Sequence, residues 1–440
     1  MKKWLPVIGV LIVAAGAAVA YSANVFPKEL APIPEIDRAG FSGDKIEAGE
    51  NLARLGDCSA CHTPVGSRAM SGGFGLPTPF GTIYSTNITP DRESGIGSWS
   101  LKAFVRAMRE GIDREGNHLY PAFPYDHFAA MTDADLEALY QFLMSREAVA
   151  TDPVENDLAF PFSFRPILAG WKLLFHRVEP FQPNPDFTDE ENRGAYIAET
   201  LGHCSACHSP RNMFGAVKTD AFLAGGAAEG WLAPPLGDAS IAPAGWTFDE
   251  YLDYLFDGWS ETHGLAGGPM TAVVDNLYDA DEDDVFAIAA WLARITPDVD
   301  EEERAARLEA IGARDLPKDF GGEISGQDLP EEVVAGAQVF ANNCVKCHRE
   351  RVSDAQPVSF GLTYAVNAPS PDNVFNAVLH GLAPTIGASE RKMDPVKLGA
   401  GDLAAVAAFL RWQFTDLPPW PDLAKSAEAA VAVLQGGQAE

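Results

Sequence analysis

Six cysteines occur in this 440-residue chain, and all of them fall into one spacing: Cys58-Ser59-Ala60-Cys61-His62, Cys204-Ser205-Ala206-Cys207-His208 and Cys344-Val345-Lys346-Cys347-His348. Thiols three positions apart lie one helical turn from each other. Both can form thioethers with the vinyl groups of one porphyrin while the adjacent histidine ligates its iron. Three such signatures predict three covalently bound haem c groups, with His62, His208 and His348 as proximal ligands. A zinc site, a redox dithiol and a structural disulfide are the plainer uses of C-x-x-C. Zinc would need its four ligands gathered in one place, whereas these pairs stand about 140 residues apart and each runs directly into a histidine.

The elements that must hold these groups repeat with them. Before Cys58, residues Ile46, Leu52 and Leu55 share a helical face. After it, Thr63 to Gly97 is rich in Gly, Pro, Thr and Ser and reads as a long wrapping loop. Leu101, Phe104, Val105 and Met108 give a middle helix ending at Gly111, and Thr132 with Asp135 opens a closing one. The same order follows Thr188 and Glu191 in the second repeat. In the third it is Glu331 to Asn343, Asp372 to Leu379 and Leu403 to Phe414. The expected fold class is therefore all-α: three tandem class I-like cytochrome c domains with long Gly/Pro-rich loops. The expected ranges are 44–150, 186–296 and 329–416, with a tether at 28–43, linkers at 151–185 and 297–328, and a tail at 417–440. Asp300-Glu301-Glu302-Glu303 reads as a solvated helix start or surface, and the apolar patch from Trp171 to Phe175 as ordinary packing ahead of a cover for a haem edge or a partner contact.

Residues 1–27 begin with two lysines and continue uncharged from Trp4 to Pro27, which is either a signal peptide or a transmembrane anchor. Both place the rest of the chain on the periplasmic side of the inner membrane. A formal net charge of -30 excludes nucleic acid as a partner and leaves a solvated acidic surface, or docking to a basic one, as its use.

Several longer stretches resemble the three-haem cytochrome c subunits of bacterial membrane-bound dehydrogenases. These are Gly56-Asp57 with the first motif, Gly81 to Asp91, Gly95-Ile96-Gly97, Gly202-His203 with the second motif, Ser209 to Asn212 and Gly230 to Pro234. The resemblance runs from about Asp44 to Trp420. It implies an electron-transfer subunit that takes electrons from a catalytic dehydrogenase subunit, with or without an iron–sulfur subunit. Quinone, another cytochrome or an oxidase would be the acceptor.

Each iron then needs a second axial ligand. Met270 in Gly267-Gly268-Pro269-Met270 and Met393 in Lys392-Met393-Asp394-Pro395 are the candidates on loops, with His380 as the rival to Met393. Where the family carries Tyr-Pro-Ala-Met-Pro-Tyr, this chain has Tyr120-Pro121-Ala122-Phe123-Pro124-Tyr125. Phenylalanine cannot ligate iron. His127 is the favoured substitute, ahead of Met131, His118 and an open position. This variant resembles cytochromes paired with molybdenum-containing aldehyde or N-heterocycle oxidoreductases. An enzyme working at an open first haem, a peroxidase or a reductase, is the competing function. His176, His203 and His263 have no ligand-like context, although His203 abuts the second motif within reach of a haem propionate.

Overall fold

The computed structural model describes residues 24–316, 320–324, 328–348 and 358–436. Most of the expected signal or anchor segment, and the stretch directly after the third C-x-x-C-H, lie outside them. Among the described residues no helix is long and apolar enough to cross a membrane. Two compact units are present.

The first unit takes the chain up to Asn184, together with Tyr196–His203 and Asn212–Ala216. Helix Gly43–Leu55 crosses helix Asp133–Ser145, and helix Leu101–Glu110 packs beside them around Leu52, Phe104, Leu136, Leu139 and Phe142. The caps fall where the sequence puts them. Ser100 Oγ accepts from Ala103 N at 3.2 Å, Thr132 Oγ1 accepts from Asp135 N at 3.1 Å, and Gly111 closes its helix at φ 58°.

The expected loop after the first motif is more ordered than its composition suggests. Strands Gly75–Thr78 and Gly81–Tyr84 form a hairpin, and Asp157–Leu158 adds a third antiparallel strand. The fold is helix-rich with small sheets rather than purely α. The expected linker 151–185 also contains helix Leu168–Phe175. Short strands escape a periodicity reading because two to four residues give too few alternations to count.

The second unit takes 185–195, 204–211 and the chain from Val217 onward. It holds helices Phe248–Asp257, Pro269–Tyr278 and Glu282–Ile295, then Glu331–Asn343, Asp372–His380 and Ala400–Phe414. Thr247 and Glu250 make a complete capping box. Asp300 caps helix Glu301–Gly312 through its carboxylate, so the acidic run is a helix start. The tail folds as helix Leu423–Gly436, which packs on Ala400–Phe414 around Trp420 and Ala427.

One crossing recurs three times. A Cβ on Gly49 would lie 2.1 Å from the Ala138 carbonyl oxygen; on Gly194 or Gly336 it would lie 1.9 Å from the carbonyl oxygens of Ala287 or Ala405. The next neighbours are Phe142, Trp291 and Phe409, each four residues further along the partner helix. Only glycine lets the leading helix approach the closing helix this closely. The contact sets the distance between the helix that precedes each C-x-x-C-H and the closing helix that follows it.

Candidate haem-attachment sites

Each C-x-x-C-H segment forms one tight turn of helix: Cys58–His62, Ser205–His208 and Val345–His348. That turn puts both thiols of a pair on one side and the histidine beyond them. In the first two motifs the residue before the first cysteine is left-handed, Asp57 at φ 50° and His203 at φ 35°, so the chain breaks from the preceding helix before re-entering one. In the third, helix Glu331–Asn343 runs straight to Cys344. No disulfide links any of the six cysteines. Burial, with Asp57 and Cys61 adding to it, pushes the Cys58 thiol up to about 12. Burial with Cys347 alongside pushes Cys344 up to about 11.

The histidines show how the sites are aimed. His62 Nδ1 lies 2.6 Å from the Thr86 carbonyl oxygen, and His208 Nδ1 lies 2.7 Å from that of Pro234. A carbonyl only accepts, so Nδ1 carries the proton and donates it, and the lone pair is left on Nε2. Desolvation holds both imidazoles below the ordinary pKa, in the neutral form that a metal ligand needs. His348 is held by rings instead, with Phe360 at 4.8 Å and Phe340 at 6.4 Å between centroids. Paired thiols beside a neutral, oriented imidazole are the donor set that covalent haem requires. The residues fit the group.

The Thr86 and Pro234 carbonyls have no signature in the sequence. Both lie in the loops Gly81 to Asp91 and Gly230 to Pro234, but nothing in those strings says which backbone oxygen meets the imidazole.

Comparison with known proteins bears directly on these motifs. Residues 333–413, which include Cys344, Cys347 and His348, match the family model "Cytochrome c". The chain is 40% identical to a nicotinate dehydrogenase subunit of Pseudomonas putida over 97% of its own length, and spans 35% of that protein. It is 35% identical to the gluconate 2-dehydrogenase cytochrome c subunit of Pantoea cypripedii, covering 76% of this chain and 77% of that one. With the cytochrome c subunit of alcohol dehydrogenase (quinone) of Komagataeibacter europaeus the identity is 33%, over 89% and 84%. The chain belongs to the cytochrome c subunits of dehydrogenase complexes. Covalent haem c comes with that membership.

In this cytochrome the distal candidates sort by position. After the middle helices, Leu119 N donates to Gly111 O at 2.8 Å and Ala266 N donates to Gly258 O at 2.8 Å. Gly111 and Gly258 are both left-handed helix caps, so the two turns are in register. Four residues past each donor stand Phe123 and Met270. The structure thus sets Phe123 where the second repeat has its methionine. Met270 itself is not on a loop as the sequence suggested. It is the second residue of helix Pro269–Tyr278, because Pro269 fits the first helical position. Met393 pairs in antiparallel fashion with Leu382, at 3.0 and 2.8 Å, and packs against the core around Phe340 and Phe409. His380 ends helix Asp372–His380 with its side chain exposed.

Around Phe123 the three candidates differ. His118 is committed on both sides: Nε2 faces the Val25 carbonyl at 3.2 Å and Nδ1 faces Lys172 Nζ at 3.1 Å. Using either nitrogen as a ligand would break the contact that nitrogen makes. Met131 is a core side chain, 1% exposed, packed with Leu136 and Leu139. His127 lies on the short helix Tyr125–Phe128, with Nδ1 3.1 Å from an Asp126 carboxylate oxygen. A carboxylate behind one ring nitrogen fixes the tautomer and the ring orientation, as such partners do for metal-bound histidines. His176 is tied to the Arg109 carbonyl at 2.8 Å, and His263 is stacked on Trp246.

Proposed function

We propose that this chain carries three covalent haems c, on Cys58, Cys61 and His62, on Cys204, Cys207 and His208, and on Cys344, Cys347 and His348. They sit in three cytochrome c domains at 44–150, 186–296 and 329–416. The chain passes electrons from a catalytic dehydrogenase subunit, a molybdenum-containing aldehyde or N-heterocycle oxidoreductase among the candidates, to quinone or a later respiratory carrier. Where the complex has an iron–sulfur subunit, it stands between the two. The chain's place is the periplasmic face of the inner membrane. Each haem, when bound, supplies one reversible electron at its iron.

The protein's own part is positional. The Thr86 and Pro234 carbonyls orient His62 and His208, while Met270 and Met393 supply thioether sulfur to the second and third irons, which favours the reduced state. His127 takes the sulfur's place at the first. The observation that carries this reading is the repeated arrangement of paired thiols beside an Nδ1-anchored imidazole, together with the thrice-repeated Gly/Ala helix crossing.

A second reading has support in one place. Phe123 stands in register with Met270, which would leave the first iron an open position and haem chemistry of its own, as in a peroxidase or reductase. Purification of the native complex tests both readings. Electron transfer predicts a co-eluting dehydrogenase subunit and a haemochrome yield of three per chain. A lone chain that turns over peroxide or an oxyanion supports the second.

A further inference from the structure

The loops that aim the first two proximal histidines both contain a β-hairpin, and the outer edges of the two hairpins are closed differently. In the first repeat, strand Gly81–Tyr84 leads to the Thr86 carbonyl that accepts from His62 Nδ1, and its outer edge is paired by Asp157–Leu158. Asn156, directly before that third strand, accepts from Tyr84 N on its Oδ1 at 2.7 Å. In the second repeat, strand Trp231–Ala233 pairs with Gly226–Ala228 and runs straight into the Pro234 carbonyl that accepts from His208 Nδ1. This sheet has two strands, which leaves Trp231–Ala233 with an open edge.

The inner strand of the second hairpin lies on the haem motif itself. A Cβ on Gly226 would stand 2.3 Å from the Cys207 carbonyl oxygen and 2.5 Å from that of Ser209, and Gly225 N donates to the His208 carbonyl at 2.7 Å. The outer strand is met by a residue 141 positions further along the chain. Asn373, buried on helix Asp372–His380 of the third repeat, accepts from Leu232 N on Oδ1 at 2.8 Å and donates from Nδ2 to the Leu232 carbonyl at 2.9 Å. One carboxamide thus satisfies both backbone groups of a single edge residue, as a neighbouring strand would. Asn376, one turn along the same helix, donates to the Gly230 carbonyl at 2.8 Å.

We infer that Asn373 is a positioning residue for the second haem, supplied by the third repeat. This rests on the reading of the chain as a three-haem carrier. Asn373 fixes the strand at Leu232, and two residues later the strand presents the carbonyl that orients His208. Leucine at 373 would fill much the same space and bond neither group, so Leu232 would shift to find other partners. A hydrogen bond donated by Nδ1 makes the opposite nitrogen the stronger donor to iron, which favours the oxidised state. Slackening that bond at His208 therefore raises the second midpoint potential. His348 is held by Phe340 and Phe360 instead, so the third midpoint stays where it is although its own repeat carries the substitution.

The test is a potentiometric titration of the full-length holoprotein, with the second midpoint identified as the one that Cys204→Ala with Cys207→Ala removes. Asn373→Leu should raise that midpoint and leave the other two. In reduced protein carrying isotope-labelled histidine, the His208 Nδ1 proton should exchange with solvent about tenfold faster or more. Asn376→Ala removes only the Gly230 contact; it should move both readings in the same direction by less, and it stands in if Asn373→Leu fails to assemble. A purely structural role would lower the melting temperature and leave midpoint and exchange in place. That result overturns the inference, as does a shift confined to the third midpoint. A haemochrome yield below three in the unsubstituted chain overturns the underlying reading as well, whereas three haems with an unmoved second midpoint overturn this inference alone.

Discussion

His127 stands edge-on to His203, with ring centroids 6.3 Å apart and planes at 74°. His203 immediately precedes the second haem motif, and Phe128 packs on it at 5.9 Å. The residue offered as ligand to the first iron is thus held by Asp126 on one side and by a second imidazole on another. With Met270 and Met393 as the proposed ligands of the other two irons, a bis-histidine first iron, lacking the thioether that raises potential, should titrate below them.

His127→Ala should remove or shift the lowest of three midpoints and alter its low-spin spectrum, leaving the other two. His127→Met should raise that midpoint. Potentiometric titration followed optically separates these results. Three unchanged midpoints in His127→Ala would transfer the role to another group, with Met131→Leu the next variant to make.

Haem stoichiometry should follow the motifs. Cys204→Ala with Cys207→Ala removes both thioethers of the second site, and the pyridine haemochrome yield should fall from three per chain to two. An unchanged yield would mean that the second motif holds no haem.

The helix crossings should be intolerant of a single methyl group. Gly336→Ala puts a carbon where the Ala405 carbonyl already stands, at 1.9 Å, so the helices must part. The better helix propensity of alanine offsets roughly 1 kcal/mol, but overpacking costs about 1–3 kcal/mol or more, and the melting temperature should drop. Gly312→Ala, which meets nothing within 4 Å, is the matched control and should be neutral or slightly stabilising.

Glu250 should give the second unit an acid-sensitive component. Burial alone would raise its pKa, but His263, the Thr262 hydroxyl and the Thr247 amide outweigh burial and bring it down to about 2. Arg304 also pairs with it. His263 lies 3.6 Å away and is itself held below its ordinary pKa by burial. A carboxylate depressed in the folded state stabilises above its unfolded pKa, and that contribution is lost as pH falls through the folded one. With allowance for solvent screening of a partly buried group, Glu250→Gln should lose about 2 kcal/mol at pH 7, measured by denaturant unfolding. The gap to the unmodified chain should close between about pH 4.5 and pH 2.

Covalent chemistry was legible in the sequence because it depends on spacing along the chain. Two thiols and a histidine within five residues find one porphyrin whatever the rest of the protein does. The leading, middle and closing helices were legible for a related reason: apolar residues at helical period, with Thr188, Thr247 and Thr132 as caps, declare themselves locally. What faces a haem from a distance did not. The Thr86 and Pro234 carbonyls and the commitment of His118 to Val25 and Lys172 join segments 24 to 93 residues apart. The outward turn of Leu173 and Leu174, both exposed where ordinary packing is expected, depends on which side of their helix is anchored, Lys172 being drawn inward to the Glu110 and Gly111 carbonyls. Composition is the same for a leucine turned in or out. Only the packing of the elements beneath it decides which.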